Sequence, residues 1–172
     1  MKLSNKTVEL SLYTESDFNT YSEMRMSPEM MENIYDTFSL EEAKERFSVH
    51  LKPWSIKSDH WLSLTIALNL TKEKVGDIGF KVIDYENKIG EVGFMLKRGF
   101  QGKGIGYSAL SLIKELAFEK LKFNKLVATC STTNIASYSL LEKHGFSRVK
   151  ILKDSVVINK QSIDSFIYEL KK

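Results

Sequence analysis

Four glycines fall within eight residues, at Gly99, Gly102, Gly104 and Gly106, just before an amphipathic stretch that begins at Tyr107. Glycines at a junction between a strand and a helix remove the side chains that would keep a ligand away from the backbone. The free N–H groups of the first helical turn and the helix dipole favour an anion there. The segment therefore predicts a turn that binds a phosphate or pyrophosphate, and a glycine-rich turn of purely steric origin is the alternative.

The spacing of this turn distinguishes between known phosphate-binding motifs. A Walker A loop needs Ser or Thr after its lysine, whereas Lys103 is followed by Gly104. A dinucleotide fingerprint would place its third glycine where this chain has Tyr107, although a relaxed form that ends at Ala109 fits. That fingerprint also needs an acidic residue for the ribose, and residues 124 to 133 contain neither Asp nor Glu. The sequence thus disfavours both nucleotide motifs.

Two blocks of sequence carry a resemblance to a known family. The pattern Gln101-x-x-Gly104-x-Gly106 resembles the acetyl-CoA pyrophosphate motif of the GNAT superfamily of N-acetyltransferases. Asn134 to Phe146 resembles the second family block, in the form Asn-x-x-Ser-x-x-x-Leu-Glu-Lys-x-Gly-Phe of the ribosomal-protein N-terminal (alanine or serine) acetyltransferases. Residues 75–80 and 90–96 resemble the central strands of the family.

The resemblance implies an acetyl-CoA-dependent N-acetyltransferase that needs no metal. The acceptor would be a primary amine on a protein N-terminus, a polyamine or another small molecule, and it would attack the thioester directly. The residues that the resemblance assigns to the cofactor are Met95, Leu96, Gln101, Gly102, Lys103, Gly104, Ile105, Gly106, Tyr107, Asn134, Ser137 and Lys143.

The chemistry of such a transfer, together with the predicted positions of the side chains, suggests the catalytic residues. An amine is mostly protonated at neutral pH, so the reaction needs a base. Glu91, at the start of the strand that would carry the cofactor, is the predicted base, and a surface glutamate is the alternative. Ser137 lies three residues after Asn134 and hence on the same helix face, where we expect it to assist the leaving thiolate. Tyr138 is a weaker candidate because it points elsewhere around the helix.

Two departures from the family pattern leave a second hypothesis open. Ser108-Ala109 stands where the ribosomal-protein branch often carries Thr-Glu, and Leu141 stands where many members carry a tyrosine acid. A non-catalytic sensor that binds acyl-CoA is therefore the alternative to an enzyme.

Hydrophobic periodicity predicts an α/β (α+β) fold in one domain spanning residues 1–172, with a mixed, mostly antiparallel central sheet flanked by helices. The three strands before the glycine turn are close in sequence and predict an antiparallel meander. The predicted strands are 8–12, 61–68, 75–83, 89–96, 126–130, 146–152 and 162–170. The predicted helices are 17–31 with an interruption at Ser27-Pro28, 39–51 with a capping box, 107–121 and 134–144.

Composition restricts the partners. The 25 basic and 22 acidic side chains are interleaved along the chain, which predicts solvated helix faces and no nucleic-acid surface. Cys130 is the only cysteine, so an intrachain disulfide is excluded. We interpret it as a buried residue that packs in the core rather than as a nucleophile. No apolar run is long enough to span a bilayer and no signal peptide is recognised, so we expect a cytoplasmic protein without a membrane partner. A monomer and a homodimer are both compatible with the sequence.

The acceptor is not specified by these motifs. Family selectivity resides in segments that correspond here to about residues 17–52 and 153–165, and neither has a distinctive pattern. The first segment is rich in acidic residues, which leaves a polyamine or aminoglycoside acceptor open; they are Glu23, Glu29, Glu32, Asp36, Glu41 and Glu42.

Overall fold

The computed structural model describes all residues from Met1 to Lys172. Eight strands form one sheet: β1 (Lys2–Ser4), β2 (Val8–Leu12), β3 (Leu62–Leu68), β4 (Lys74–Asp84), β5 (Ile89–Leu96), β6 (Lys125–Ser131), β7 (Ser147–Ile158) and β8 (Gln161–Lys171). The α-helices are α1 (Phe18–Arg25), α2 (Pro28–Met31), α3 (Leu40–His50), α4 (Ile105–Glu115) and α5 (Ile135–Lys143). No helix has the length and apolar character needed to cross a membrane.

The strands are ordered β1-β2-β3-β4-β5-β6-β8-β7 across the sheet. All neighbours are antiparallel except β5 and β6, which are parallel. The predicted mixed, mostly antiparallel sheet and the meander of β3, β4 and β5 are thus confirmed. β8 lies between β6 and β7 and separates two strands that precede it in the chain.

The parallel pair is short and divides the sheet. β5 and β6 share only three residue pairs, which end at Glu91 and Val127. Both strands continue beyond this point, β5 to Leu96 and β6 to Ser131, without pairing to each other. The sheet therefore opens into a gap after Glu91, and the β5 backbone groups that would face β6 have no strand partner.

One face of the sheet packs on α4 through a core of 24 buried residues. Because successive side chains of a strand point to opposite faces of the sheet, Ile78 of β4 and Val92 of β5 point into this core. The residues of α4 that are buried lie along one stripe and are Ile105, Gly106, Ala109, Leu110, Leu112 and Ile113. The helix starts two residues earlier than predicted, and its last predicted turn is a wider π-helical turn at Leu116–Lys120.

The opposite face carries the N-terminal helices. α1 contacts both α3 and β4. Ser39 and Glu42 form the predicted capping box at the start of α3, with N···O distances of 2.7 and 3.2 Å. The predicted interruption is also present, because Ser27 caps a new helix that has Pro28 in its first turn.

Two strand predictions were incomplete. The short strand β1 was not predicted, because three exposed or half-buried residues carry no alternation. β7 continues to Ile158 rather than ending at residue 152, because its whole length is an edge strand with almost no buried residue. Hydrophobic pattern cannot delimit a strand whose side chains remain in water.

Candidate active site

The glycine turn lies directly after β5 and forms the start of α4. Gly102 and Gly104 have φ angles of 72° and 76°, in the left-handed region that L side chains rarely adopt. Gly104 is the N-cap of α4, so the first N–H groups of the helix point out of the turn. The Gln101 side chain donates a hydrogen bond to the Leu96 carbonyl oxygen at 3.0 Å and holds the turn against the end of β5.

Gly106 brings the first turn of α4 close to two other elements. A Cβ at this position would lie 3.0 Å from Leu140 of α5 and 3.2 Å from Leu96 of β5. A larger residue at this position would therefore require the Leu140 and Leu96 side chains to shift. At Gly104, by contrast, a Cβ would meet no atom within 4 Å, so the space in front of the turn is open. These glycines leave a concave surface that a ligand could fill.

The turn borders a first cavity of about 680 Å³. Ten of the twelve residues predicted to bind the cofactor line it: Met95, Leu96, Gln101, Gly102, Gly104, Gly106, Tyr107, Asn134, Ser137 and Lys143. The structure does not bring the other two side chains to the cavity. Ile105 is buried in the core beside α4, and the exposed Lys103 ammonium lies 5.7 Å from the Phe100 ring centroid.

The start of α5 forms the far wall of this cavity. Asn134 is the N-cap of α5, and its side-chain oxygen accepts a hydrogen bond from the Ser137 backbone N–H at 3.1 Å. The Ser137 hydroxyl lies beside Cys130, whose pKa burial raises to about 11 despite that neighbour. Cys130 is therefore a protonated, buried thiol, as expected from the sequence. Tyr138 packs edge-on against Phe166 and lines neither this cavity nor the second one.

A second cavity of about 440 Å³ lies on the other side of the gap between β5 and β6. Glu91 lines this cavity, together with Thr129 of β6. Burial raises the pKa of the Glu91 carboxyl, against the opposing effects of a hydrogen bond from Thr129 and the charge of Lys81. A carboxyl in this environment binds a proton more readily than a surface glutamate does.

The two cavities meet where the strands diverge. Six residues line both of them: Asn33, Ile34, Phe94, Met95, Asn134 and Ser137. We call these six residues the junction. A molecule in the first cavity and a molecule in the second can touch only there.

The sequence did not reveal an ion pair in the wall of the second cavity. The Arg25 guanidinium of α1 donates two hydrogen bonds to the Asp77 carboxylate of β4, at 2.9 and 3.1 Å. Both residues line the second cavity. The one signal in the sequence was Asp77 itself, an acidic residue within the otherwise apolar and glycine-rich start of β4.

A glycine pair makes room for an aromatic wall in the same cavity. Gly79 of β4 lies opposite Gly93 of β5. The Trp61 ring lies over this pair, because a Cβ on Gly79 or Gly93 would be 2.9 or 3.5 Å from its atoms. The glycines of the central strands therefore create the space that Trp61 occupies.

A model of the acetyltransferase (GNAT) domain matches residues 7–147. The chain belongs to this family. The GNAT match includes both sequence blocks on which the resemblance rested, up to the first residue of β7. GNAT enzymes are N-acetyltransferases that use acetyl-CoA, and the glycine turn, the gap in the sheet and the junction all lie within the matched residues.

Curated relatives of this GNAT chain are named as N-acetyltransferases. Protein p20 of Bacillus licheniformis, described as an uncharacterised N-acetyltransferase, is 28% identical over 152 residues, which cover 88% of this chain and 75% of p20. Matches to five further curated relatives are shorter and cover 43% to 58% of those proteins. The family is thus shared over most of the chain, at low identity.

Solved GNAT structures match the fold along nearly the whole chain. The ribosomal-protein-S5-alanine acetyltransferase from Vibrio fischeri superimposes with a TM-score of 0.80 at 19% identity, over 99% of this chain and 96% of that one. The spermidine N-acetyltransferase from Vibrio cholerae, solved with CoA and spermine, gives a TM-score of 0.82 at 18% identity, over 97% and 96%. At such identities the likeness establishes the fold alone.

Proposed function

We propose that this GNAT protein transfers the acetyl group of acetyl-CoA to a primary amine by direct attack of the amine on the thioester. The observation that carries the proposal is the junction, where two cavities of different character meet at the gap between β5 and β6. One cavity begins at a glycine turn suited to a pyrophosphate, and the other contains the half-buried carboxyl of Glu91. A donor and an acceptor bound in the two cavities come into contact at Phe94 and Met95.

The first cavity suits acetyl-CoA. The backbone N–H groups that point out of the turn at Gly104 and the positive end of the α4 dipole favour binding of the pyrophosphate there. The side chains of Gln101, Tyr107 and Lys143 surround this position and offer polar groups and one positive charge. From there the cavity continues along Leu96 to the junction, a path that fits the pantetheine arm. Ile105 and Lys103 contribute through the backbone of the turn.

Glu91 is the base in this proposal. The amine enters as an ammonium ion, and the Glu91 carboxylate accepts its proton, directly or through water, because its raised pKa makes it a better proton acceptor than an exposed glutamate. The freed nitrogen lone pair then attacks the thioester carbonyl carbon. β5 backbone N–H groups, which have no partner in β6 beyond Glu91, stabilise the negative charge that develops on the carbonyl oxygen.

Ser137 completes the reaction on the leaving-group side. When the carbon–sulfur bond breaks, the thiolate takes a proton, and the Ser137 hydroxyl at the junction is placed to donate it. The attacking nitrogen still carries one surplus proton, which passes to the Ser137 oxygen directly or through solvent, so that the hydroxyl is restored and the amide is neutral. Glu91 releases the first proton to solvent. The neighbouring Cys130 is not needed, because its high pKa keeps it in the thiol form.

The proposal is tested by following the release of free CoA thiol from acetyl-CoA in the presence of a panel of primary amines. We expect amine-dependent release by the parent and release slowed by about a hundredfold in Glu91→Gln. Acetyl-CoA should raise the melting temperature of both proteins, since Glu91 lies in the other cavity. Stabilisation by acetyl-CoA without thiol release from any amine would instead support an acyl-CoA sensor.

A further inference from the structure

The second cavity contains few groups that could bind a positive charge. Its walls carry only two carboxylates, Glu91 and Asp77. The basic groups are Arg25 and His50, and burial lowers the pKa of the His50 imidazole, which keeps it neutral near pH 7. The number of cations that an acceptor can place in this cavity therefore depends on whether both carboxylates are free.

Asp77 is not free. Its two carboxylate oxygens each accept a hydrogen bond from the Arg25 guanidinium, and the side chains are only 18% and 11% exposed. The same guanidinium lies 4.7 Å from the centroid of the Tyr21 ring and contacts the Met95 sulfur at 3.0 Å, so it is fixed from several sides. The negative charge of Asp77 is therefore compensated within the protein.

The remaining walls are neutral and largely apolar. They include Ile34, Tyr35, Trp61, Phe94, Leu152 and Val156. The exposed acidic residues Glu29 and Glu32 line the first cavity rather than the second, and both pair with Arg98. A second ammonium group inside the second cavity would lose its water without gaining a counterion, which is unfavourable.

We propose that the acceptor of this enzyme is an amine with a single positive charge, attached to an apolar or aromatic body, and that polyamines are poor acceptors. The inference rests on the proposed function, because that proposal assigns the second cavity to the acceptor. Glu91 is the only carboxylate in that cavity that is not in a salt bridge, and it serves the nitrogen that reacts. The Vibrio cholerae neighbour that was solved with spermine shares the fold, but its fold does not determine the charges of this cavity.

The test compares n-hexylamine with 1,5-diaminopentane, which has the same chain length but an ammonium group in place of the terminal methyl group. We expect kcat/KM for n-hexylamine to exceed that for the diamine by about tenfold or more. 2-Phenylethylamine should be at least as good as n-hexylamine because the walls are aromatic. Equal or better use of the diamine would overturn the inference.

A pair of variants tests the cause of this preference. Ser155 lines the second cavity from β7 and is exposed, so substitution there leaves the core intact. Ser155→Asp adds a carboxylate and should reduce the preference for n-hexylamine severalfold, whereas Ser155→Asn, which adds a neutral side chain of the same shape as Asp, should not. Equal preferences in the two variants would contradict an electrostatic origin.

Binding provides a readout that does not require turnover. The melting temperature of the CoA-saturated protein is measured with each of the two amines at equal concentration. We expect a larger rise with n-hexylamine, even if no amine is acetylated. If no amine causes thiol release but n-hexylamine binds more strongly than the diamine, the proposed function is wrong and the inference about the charge of the ligand stands. If the diamine binds more strongly, the inference itself is wrong.

Discussion

His144 stacks on Tyr107, with ring centroids 4.1 Å apart, and its Nε2 donates a hydrogen bond to the Tyr107 backbone carbonyl oxygen at 3.0 Å. Tyr107 lies in the first turn of α4, and His144 is the C-cap of α5. The carbonyl oxygen of His144 in turn accepts a hydrogen bond from Lys114 at 3.0 Å. These contacts connect the two helices that border the first cavity, and the imidazole therefore helps to set their separation.

This contact should make stability depend on pH. Burial, with a further contribution from Lys114, lowers the pKa of His144 to about 4 from its ordinary 6.5. Between these values the unfolded chain binds a proton that the folded protein does not, so the free energy of unfolding falls as the pH falls from 6.5 towards 4. We expect His144→Phe to cost about 1 kcal/mol at pH 7 through the lost hydrogen bond. The difference in the free energy of unfolding between the parent and His144→Phe, measured by urea unfolding, should be smaller at pH 4.5 than at pH 7.

A second variant separates the effect of Lys114 on the pKa of His144 from the effect of burial. Lys114→Met removes the positive charge beside the imidazole, so the pKa of His144 should rise and the loss of stability on acidification should become shallower. A difference between parent and His144→Phe that stays constant from pH 7 to pH 4.5 would contradict this account.

Substitution in the glycine turn should abolish cofactor binding. Gly104→Val forces a β-branched residue to a φ of 76° and fills the open space in front of α4. We expect the rise in melting temperature caused by acetyl-CoA to disappear in this variant. Gly99→Val is the matched control, because Gly99 also has no atom within 4 Å of a Cβ but does not line the first cavity. Loss of the shift in both variants would argue against a specific role for Gly104.

Glu91→Gln should separate activity from stability. Because burial raises the pKa of this carboxyl above 4.5, the folded state holds its proton more tightly than the unfolded chain. The free energy of unfolding therefore falls as the pH rises from 4.5 through the raised pKa, and the ionised carboxylate destabilises the protein at pH 8. We expect the variant to be at least as stable as the parent at pH 8 in urea unfolding while it loses activity. A less stable variant would show that the carboxylate has a structural partner.

The Arg25–Asp77 pair should behave as one unit. Arg25→Met leaves a buried carboxylate without its partner and should cost about 3 kcal/mol in urea unfolding. The double variant Arg25→Met with Asp77→Leu removes both charges, so its loss of stability should be smaller than the sum of the two single losses. Additive losses would mean that the two side chains contribute independently.

The sequence predicted well what local chemistry determines. The glycine turn before α4, the capping box of Ser39 and Glu42 and the break at Pro28 each depend on a few adjacent residues. The glycine turn could therefore be predicted to border a ligand cavity from the spacing of its own residues. Asn134, which the second sequence block assigns to the cofactor site, lines the first cavity and is the N-cap of α5.

What the sequence did not predict depends on distant contacts. Arg25 and Asp77 are 52 residues apart, and no periodicity connects them. The short segment from Glu29 to Ile34 lines the first cavity only because α2 folds over the end of β5. In the turn itself the type of residue was informative but the direction of the side chain was not, since Ile105 points into the core.

The position of β8 also has a consequence for how the chain is made. β8 lies between β6 and β7 and pairs with seven residues of β6, yet it is synthesised after both. While the nascent chain emerges from the ribosome, the edge of β6 that will pair with β8 is therefore unprotected, and β7 has no neighbour in the sheet. Ser165 of β8 lines the second cavity, and Tyr168 is fully buried with its hydroxyl bonded to Glu142 of α5. The second cavity is thus completed only after β8 has been synthesised, and until then the half-made sheet is open to the wrong strand.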